Sequence, residues 1–426
     1  MSDKLKPAQV PQLRFPEFQH SGEWTTEKLG SLVSISTEKV GNNNCVPMSI
    51  TSGVGLVSQE DKFGRVIAGD SYKNYLLLKP FDFAYNKSAT KEYPEGFLTL
   101  YSGEKLAAVP NSIFTCFRVN GSTPYPQYLN YLFSGNLHGR WLRKFIQVGA
   151  RAHGSLSIND GDLLALPVPL PSGQSSLKEQ QKIADCLSSL DELIAAQARK
   201  VDALKTHKKG LMQQLFPRAG DTQPRLRFPE FQDAEDWAET RLGQMGNLVS
   251  GLTYSPDDVR DKGLLVLRSS NIQDGKISLA DCVYVDSSIK GANLSAANDI
   301  LICVRNGSLA LIGKNALIPE GMPQCTHGAF MTVFRSKSSK FVFQLLQTEK
   351  YQKQVAGDLG ATINSINGSQ LVKYKFIVPK PEEQTKIADL LSSVDELIAA
   401  RSQELETLKT HKKGLMQQLF PSAEAA

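Results

Sequence analysis

Residues 179–217 read EQQKIADCLSSLDELIAAQARKVDALKTHKKGLMQQLFP, and residues 383–421 read EQTKIADLLSSVDELIAARSQELETLKTHKKGLMQQLFP. The two stretches are identical at 29 of 39 positions, so the chain contains an internal duplication. A second repeat opens each copy, because QLRFPEFQ at 12–19 returns as RLRFPEFQ at 225–232, and Trp24 returns as Trp237. Between these blocks the two copies agree only weakly. The chain therefore holds two variable domains, each followed by nearly the same segment.

The repeated closing segment has the pattern of a long helix with a coiled-coil seam. Ser176 and Glu179 stand at capping-box spacing, Pro381 suits a first helical turn, and Pro217 and Pro421 end the pattern. Apolar residues recur at alternating steps of four and three, which predicts a coiled coil. These seam positions are Ile183, Leu187, Leu190, Ile194, Val201, Leu204, Leu211 and Leu215 in the first copy, and Ile387, Leu391, Val394, Ile398, Leu405, Leu408, Leu415 and Leu419 in the second.

The length of these helices indicates what they pack against. At about 1.5 Å per residue each extends to roughly 58 Å, so a helix lying only on its own domain would leave most of its apolar stripe in water. We therefore expect the two helices to pack on each other, antiparallel and about a pseudo-two-fold axis, because the domain between them returns the chain. Gln197 and Arg401 stand at the midpoints, and we hypothesise that they share one seam layer and fix the register.

The variable domains contain short apolar runs separated by Gly, Asn, Asp and Ser turns, which is typical of strands. Helical segments follow at 126–133 and 340–354. The sequence therefore predicts α+β domains with an irregular sheet. The predicted strands are 75–78, 113–117, 264–267, 300–304 and 330–334.

Composition and motifs argue against several function classes. No stretch approaches the roughly 20 apolar residues of a membrane span, and MSDKLKPAQVPQ at 1–12 lacks the apolar core of a secretory signal, so we expect a cytoplasmic protein without membrane contact. The six cysteines and six histidines are scattered without metal-ligand spacing, and no phosphate loop, dinucleotide fingerprint, H-E-x-x-H or G-x-S-x-G motif is present. We therefore expect no catalytic site and no metal site. The net charge of +5 permits a polyanionic partner without requiring one.

The doubled motifs resemble those of the specificity subunit of type I restriction-modification enzymes. The resemblance rests on the LRFPEF opening, on VPLP at 168–171 and VPKP at 378–381, on the E-Q-x-K-I-A-D junction, and on KKGLMQQLF at 208–216 and 412–420. It covers essentially the whole chain in the family's order. The resemblance implies a first target-recognition domain at 1–173, a long helix at 174–217, a second target-recognition domain at 218–380, a second long helix at 381–421 and a tail at 422–426.

The resemblance also implies the partners and the division of chemistry. Such a subunit reads double-stranded DNA and binds two modification subunits, which carry S-adenosylmethionine and methylate adenine, and through them restriction subunits that use ATP and Mg²⁺. This chain would bind no cofactor itself. We expect two rigidly spaced domains to read a bipartite, asymmetric target with a fixed spacer. The residues expected in the seam and in partner docking are Ile183, Leu187, Leu190, Ile194, Gln197, Leu204, Leu211, Leu215, Ile387, Leu391, Val394, Ile398, Arg401, Leu408, Leu415 and Leu419.

Candidate DNA contacts are polar and basic residues in predicted loops, because such side chains read base edges and bind phosphates. Any one of them also fits the role of a turn residue that satisfies local backbone groups. We expect Arg268→Ala or Lys87→Ala to weaken DNA binding. The candidates are Ser49, Thr51, Ser52, Tyr85, Asn86, Lys87 and Arg151 in the first domain, and Arg268, Ser269, Ser270, Asn271, Arg305, Asn306 and Thr362 in the second.

Two other interpretations remain at this point. The chain could be a helical scaffold whose domains bind protein or RNA without DNA specificity, which would show no steep salt dependence in a duplex gel shift. A stand-alone nuclease or methyltransferase would be active without partners, and the absence of catalytic motifs argues against it.

Overall fold

The computed structural model describes residues 10–51, 53–146, 156–359 and 364–421. The chain divides into two compact units, Met1–Gln197 with Glu404–Ala426, and Ala198–Gln403. We call them unit 1 and unit 2. Both boundaries between the units fall inside a long helix, so the compact units differ from the domains expected from the sequence, in which each long helix was separate. Each unit contains one variable domain, the start of the helix that follows it, and the end of the other helix.

Unit 1 combines short strands with short helices, as the α+β prediction requires. Its strands are β1 Trp24–Lys28, β2 Val33–Ser36, β3 Val46–Thr51, β4 Gly55–Ser58, β5 Leu76–Leu78, β6 Phe83–Asn86, β7 Phe97–Leu100, β8 Ala107–Val109, β9 Phe114–Val119 and β10 Pro167–Pro171. Its helices are α1 Leu29–Leu32, α2 Gln59–Phe63, α3 Pro126–Ser134, α4 Leu137–Leu142, α5 Asp160–Leu164 and the first part of α6 Ser176–Leu215. Single 3-10 turns lie at Pro16–Phe18, Asp70–Asn74 and Arg143–Phe145.

The strands of unit 1 form three sheets. Strands β1 and β10 pair antiparallel, β2-β9-β6-β7 form an antiparallel sheet, and β4-β3-β8-β5 form a second four-stranded sheet in which β3 and β8 are parallel. Strand β6 is buried along its whole length because both of its faces are covered. Phe83 and Tyr85 join the core that contains α3, and Ala84 points into the core between the two large sheets.

Unit 2 repeats this arrangement with little sequence similarity. Its strands are β11 Ala238–Arg241, β12 Asn247–Ser250, β13 Val259–Arg260, β14 Leu264–Leu267, β15 Ile272–Gln273, β16 Lys276–Ile277, β17 Val283–Val285, β18 Ile300–Cys303, β19 Asn315–Leu317, β20 Cys325–His327, β21 Met331–Arg335 and β22 Lys375–Val378. Its helices are α7 Leu242–Met245, α8 Ser339–Leu345, α9 Glu349–Asp358, α10 Gly368–Leu371, the first part of α11 Pro381–Leu419 and the last part of α6. Its 3-10 turns lie at Pro229–Phe231, Pro256–Asp258, Ser269–Asn271 and Leu309–Leu311.

The first large sheet of unit 2 has the strand order of unit 1, whereas in the second the parallel pair lies at the edge of the sheet instead of its middle. Strands β11 and β22 pair antiparallel, β12-β21-β18-β19 form one sheet, and β13-β17-β14-β20 form another with β14 and β20 parallel. A small hairpin, β15-β16, is added. Strand β18 is buried on both faces like β6, because Ile300 and Ile302 join the core under α8 while Leu301 and Cys303 face the other sheet. The predicted α+β class and most predicted strands are confirmed, and the helix predicted at 340–354 is two helices, α8 and α9.

Within each unit the two long-helix segments run antiparallel, as predicted. In unit 1 Lys412 contacts Asp191 and Gln197 contacts Glu404, so residue numbers rise in one helix as they fall in the other. In unit 2 Lys208 binds Asp395 with both N–O distances at 2.7 Å. The ends of the seam also enter the globular cores, whereas the sequence interpretation placed the seam against the other helix only. These end residues are Ile183, Leu187 and Leu419 in unit 1, and Leu215, Ile387 and Leu391 in unit 2.

The hypothesis that Gln197 and Arg401 share one seam layer and fix the register stays a prediction. Gln197 is 4% exposed, and its Nε2 donates to Glu404 at 2.8 Å. Arg401 belongs to the other unit and is exposed, whereas the remaining seam positions are buried or half-buried. Gln197 is therefore the buried polar residue of this part of α6.

The opening motif of unit 1 fastens both long helices. Arg14 binds the Glu179 carboxylate through two N–O contacts of 2.7 Å, and its third nitrogen donates to the Ser21 carbonyl at 3.0 Å. Glu179 is only 1% exposed, so this ion pair is buried. The Leu13 N–H donates to the Gln418 carbonyl at 3.0 Å and satisfies a helix end. The expected capping box at Glu179 is therefore wrong, because its carboxylate binds Arg14 instead.

Unit 2 contains the same fastening. Arg227 binds Glu383 at 2.9 Å through Nε and through a terminal nitrogen, and the Leu226 N–H donates to the Gln214 carbonyl at 3.0 Å. Trp237 adds a donor, since its Nε1 lies 3.2 Å from the Glu383 carboxylate. We call each buried Arg–Glu pair the clamp. The repeated sequence blocks are therefore the segments that meet in space in each unit.

Candidate nucleic-acid interface

In unit 2 several predicted loop residues are brought together beyond the ends of β14 and β18. Asn306 Nδ2 donates to Ser269 Oγ at 3.0 Å, and the Asn306 N–H donates to the Asn364 carbonyl at 3.4 Å. The backbones of Arg305 and Ser365 form an isolated antiparallel β-bridge. Ser270 is exposed beside them, and Ser269 is half-buried. Three separate loops therefore form one surface, which we call the unit 2 loop surface.

Arg305 is the most exposed basic candidate on this surface. Its guanidinium lies 5.8 Å from the centre of the Phe330 ring, within cation–π range. Phe330 is 56% exposed, and Leu309 nearby in sequence is 52% exposed. An arginine stacked on an exposed aromatic ring offers both a phosphate or base-edge donor and an apolar face for a base.

Phe330 and Leu309 were missed by the sequence interpretation. Phe330 was assigned to the predicted strand 330–334, where an apolar residue is expected in the core. The strand begins at Met331, because Gly328 and Ala329 form the approach to it and leave Phe330 outside. The glycine just before the apolar run is the signal that could have placed Phe330 in a turn.

Two candidates in unit 2 serve the fold instead. Asn271 is fully buried, its Oδ1 accepts from the Arg268 N–H at 2.8 Å, and its Nδ2 donates to the carbonyls of Ser278 and Asp281 at 2.9 Å. Asn271 therefore cannot contact DNA, and its prediction is wrong. Arg268 donates to the Asp281 carboxylate at 2.7 Å and is 34% exposed, so a phosphate would have to compete with that carboxylate.

Two candidates in unit 1 are also core residues. Tyr85 is fully buried, and its hydroxyl donates to the Glu95 carbonyl at 2.7 Å. Burial raises the pKa of the Tyr85 hydroxyl far above its usual range. Asn86 is 7% exposed, and its Oδ1 accepts from the Ser88 N–H at 2.9 Å. Both predictions of DNA contact are wrong, because the polar atoms of these residues shape the strand end and the following turn.

The other unit 1 candidates keep partial exposure. Lys87 is 22% exposed, and its Nζ lies 3.5 Å from Asp160 Oδ1. Ser49 and Thr51 are half-buried on β3, and Ser49 Oγ lies 3.4 Å from Lys62 Nζ. Exposed Lys62 was missed, since it follows two acidic residues in α2 and resembled an ordinary solvated helix. The candidates Ser52, Arg151 and Thr362 lie outside the described residues.

The two units place corresponding loops at the same end of corresponding strands. In unit 1 the Lys87 N–H donates to Ile113 and its carbonyl accepts from Leu156. In unit 2 the equivalent Val304 N–H donates to Phe330, and its carbonyl accepts from Ile366. Ile113 therefore occupies the position of Phe330, but Ile113 is half-buried. The frame of the loops is retained and the side chains they present differ.

This surface has the features of a binding site. Among the described residues, no group of three or more His, Cys, Asp or Glu side chains is arranged to hold a metal ion. In the same part of the chain, no helix is long and apolar enough to cross a bilayer. The side chains that converge on the unit 2 loop surface are hydrogen-bonding and aromatic groups, which suit recognition of a polar, stackable ligand.

Comparison with known proteins identifies relatives over much of the chain. Residues 234–410 match the family model described as a type I restriction modification DNA specificity domain. The putative type I restriction enzyme MjaX specificity subunit of Methanocaldococcus jannaschii is 28% identical over 337 residues, which cover 76% of this chain and 74% of that protein. The type I restriction enzyme EcoKI specificity subunit of Escherichia coli is 28% identical over 196 residues, which cover 43% of this chain and only 42% of that protein.

Solved structures show the same fold. The S subunit of a type I restriction-modification system from M. genitalium superposes with a TM-score of 0.62 at 15% identity, covering 97% of this chain and 99% of that one. A chain from a study of complex assembly in a type I restriction-modification system gives a TM-score of 0.54 at 16% identity, covering 94% of this chain and 98% of that one. The relatives are named as specificity subunits, which agrees with the expectation of a non-catalytic member of the system. The chain is therefore similar over most of its length to type I restriction-modification specificity subunits, and residues 234–410 match the specificity-domain model of that family.

Proposed function

We propose that this chain reads duplex DNA for a type I restriction-modification complex and that its target is bipartite and asymmetric. The observation that supports the proposal is that the two units share their strands and clamps but differ in the side chains that their loops present. Corresponding strands and clamps hold loops at corresponding strand ends, yet Arg305 and Phe330 in unit 2 take the places of Ser88 and Ile113 in unit 1. Two readers with one frame and different contact residues suit two different half-sites.

A spacer of fixed length is the second part of the proposal. The continuous helices α6 and α11 contain 40 and 39 residues. A helix of that length measures about 60 Å, and one turn of DNA is about 34 Å, so half-sites about one turn apart are within its reach. Because a helix is stiff along its axis, the spacing of the half-sites should not vary.

Docking of modification subunits on the long helices is the third part. Leu193 and Leu397 are the same position in the duplicated helix, and they are 49% and 43% exposed. A large apolar side chain kept exposed at both copies suits contact with a partner that binds twice. We assign S-adenosylmethionine to these modification subunits, and ATP and Mg²⁺ to restriction subunits bound through them.

The decisive experiment is to co-express the chain with its neighbouring modification subunit and map methylated adenines across a genome. We expect one motif with two short specific parts and a constant spacer. A single contiguous motif, or a motif whose spacer varies, would contradict the proposed arrangement. The matched control is the modification subunit expressed alone, which should leave the motif unmethylated.

A duplex gel shift over a range of salt concentrations separates DNA recognition from a scaffold role. A DNA reader should lose affinity steeply as salt rises, because bound cations displace counterions from phosphates. A shift that is equally strong with single-stranded RNA, or insensitive to salt, would favour the scaffold.

A further inference from the structure

Unit 2 contains a concave groove that DNA recognition does not explain. It has a volume of about 1120 Å³ and lies between the C-terminal half of α6, the turn at 217–220, helix α9 and strand β22. All of these segments belong to unit 2. The cavity is as large as a typical small-molecule site, and it is lined by several long cationic side chains.

The charge in this groove is strongly one-sided. Six cations line it, namely Lys205, Lys208, Lys209, Arg218, Lys350 and Lys353. Glu349 is the only carboxylate among the described lining residues, and Lys208 is neutralised by Asp395 at 2.7 Å. The other five cations form no ion pair with any residue that the structure describes. Glu349 in the lining and Glu239, whose pKa is lowered by Lys375 and further by Lys350, offset part of this charge. The remaining excess of cations creates a field that attracts an anionic ligand.

The floor of the groove distinguishes between possible anions. Met212, Pro217 and Ile377 line it and are half-buried, so they leave apolar surface in the groove. The aromatic residues Phe216 and Phe376 are 5% and 1% exposed, so neither offers a face on which a base could stack. A nucleic-acid backbone would use the cations and gain nothing from the apolar floor. An amphipathic helix with acidic flanks would use both.

We propose that this groove binds an acidic amphipathic helix of a partner protein. The apolar stripe of such a helix lies on Met212, Pro217 and Ile377. Its carboxylates meet the lysines of α6 on one wall and those of α9 on the other. The proposal does not depend on DNA recognition, because none of the groove residues belongs to the unit 2 loop surface.

The corresponding surface of unit 1 is less basic, which gives a matched control. The units can be aligned here because Gln344 donates to Asp395 as Tyr131 donates to Asp191. That alignment places Leu137 at the position of Lys350 and Arg140 at that of Lys353, so unit 1 has one cation fewer on this wall. In the helix itself, Lys409 and Lys413 correspond to Lys205 and Lys209, and Lys409 is paired with Glu406 at 2.8 Å.

The test measures binding of a fluorescein-labelled peptide to the full-length chain by anisotropy. The peptide has three heptads with leucine along one stripe and glutamate elsewhere, and its counterpart carries glutamine in place of glutamate. We expect K350E/K353E and K205E/K209E each to weaken binding about tenfold or more, since like charges facing each other are strongly unfavourable. K409E/K413E changes the net charge equally and should leave binding within twofold of the unmodified chain.

Several outcomes would overturn the proposal. Failure of the unmodified chain to bind the glutamate peptide would contradict it directly. Equal binding of the glutamine peptide would contradict the role of charge, and equal weakening by K409E/K413E and K205E/K209E would contradict the location in unit 2. Displacement of the peptide by short duplex DNA or by inorganic phosphate would assign the groove to a phosphate ligand instead. Duplex binding by the same variants is measured in parallel, so a failure of the groove proposal is separable from a failure of DNA recognition.

Discussion

The two clamps offer a comparison in which one chain supplies both the test and its control. Arg14→Met leaves the carboxylate of Glu179, which is 1% exposed, without a hydrogen-bond donor, because Trp24 Nε1 is buried and makes no hydrogen bond. Arg227→Met leaves Glu383, 2% exposed, with the Trp237 Nε1 donor at 3.2 Å. The same substitution at the same place in the duplicated frame should therefore have different consequences.

The magnitudes follow from burial. Removing one partner of a buried ion pair costs about 3–5 kcal/mol, because the remaining charge is desolvated without compensation. A hydrogen bond to a charged group contributes about 1.5–3 kcal/mol, and the 3.2 Å distance from Trp237 favours the lower end of that range. We therefore expect Arg14→Met to destabilise unit 1 by about 4 kcal/mol and Arg227→Met to destabilise unit 2 by about 1–2 kcal/mol less.

Hydrogen exchange of strand amides measures each unit separately. Exchange is followed by mass spectrometry for β9 in unit 1 and β21 in unit 2, and urea unfolding gives the overall loss. Replacing both partners, as in R14M/E179M, should recover most of the stability, because no unpaired charge is left. Equal losses for the two single variants, or a larger loss for Arg227→Met, would refute the role given to Trp237.

Three further predictions concern the loop surface, a buried histidine and the helices. Phe330→Ala should change the free energy of unfolding by no more than about 0.5 kcal/mol. It should weaken binding to the mapped target about tenfold, since base stacking contributes about 1–3 kcal/mol. Unchanged anisotropy titrations of the target duplex would remove Phe330 from the interface. Burial lowers the pKa of His138 from 6.5 to about 4. Between these pH values the unfolded chain therefore binds one proton more than the folded chain. The folded state gains about 3 kcal/mol from this difference above pH 6.5 and loses it as pH falls toward 4. Urea midpoints across this range should fall less steeply for His138→Phe than for the unmodified chain, and equal slopes would contradict this assignment. L193E/L397E should abolish co-purification of the modification subunit while duplex binding persists; retention of that subunit would exclude these leucines from the docking surface.

The sequence predicts the elements of this fold better than the environment of single polar residues. Periodicity identifies α6 and α11, and apolar runs locate β14 and β18, because burial on two faces requires apolar residues throughout. The candidates Tyr85 and Asn271 were wrong for a common reason. Tyr85 lies next to the end of β6, and Asn271 lies in the turn that follows β14. A polar side chain there serves either the local fold or a ligand, and only the positions of Glu95, Ser278 and Asp281 decide between these roles.

Exposed Phe330 represents the opposite error. Hydrophobicity alone assigns a phenylalanine to the core, but β21 begins one position later, at Met331, and Phe330 lies exposed in the turn before it. Arg305 and Asn306 fared better, since the Arg-Asn-Gly-Ser sequence after a buried strand predicts a polar turn, and Asn306 indeed reaches Ser269. The sequence could not predict which loops meet, because those contacts depend on pairing between distant strands.

The clamp geometry explains why the helix ends are almost unchanged between copies while the middle has diverged. The end of α11 packs in unit 1 beside the start of α6, and the end of α6 packs in unit 2 beside the start of α11. Each end therefore meets an opening motif and an Asp–Lys contact of the same kind, Lys412 with Asp191 and Lys208 with Asp395. A substitution at a helix end disturbs a buried core. The seven consecutive differences, at 197–203 and 401–407, lie where the boundary between the units crosses each helix, and the helix residues there do not belong to either globular core. Selection for two stable units is sufficient to produce this pattern, so the identity of the helix ends should not by itself be taken as evidence of a docking site. The exposed leucines and the charged groove, which stability does not require, are the stronger evidence.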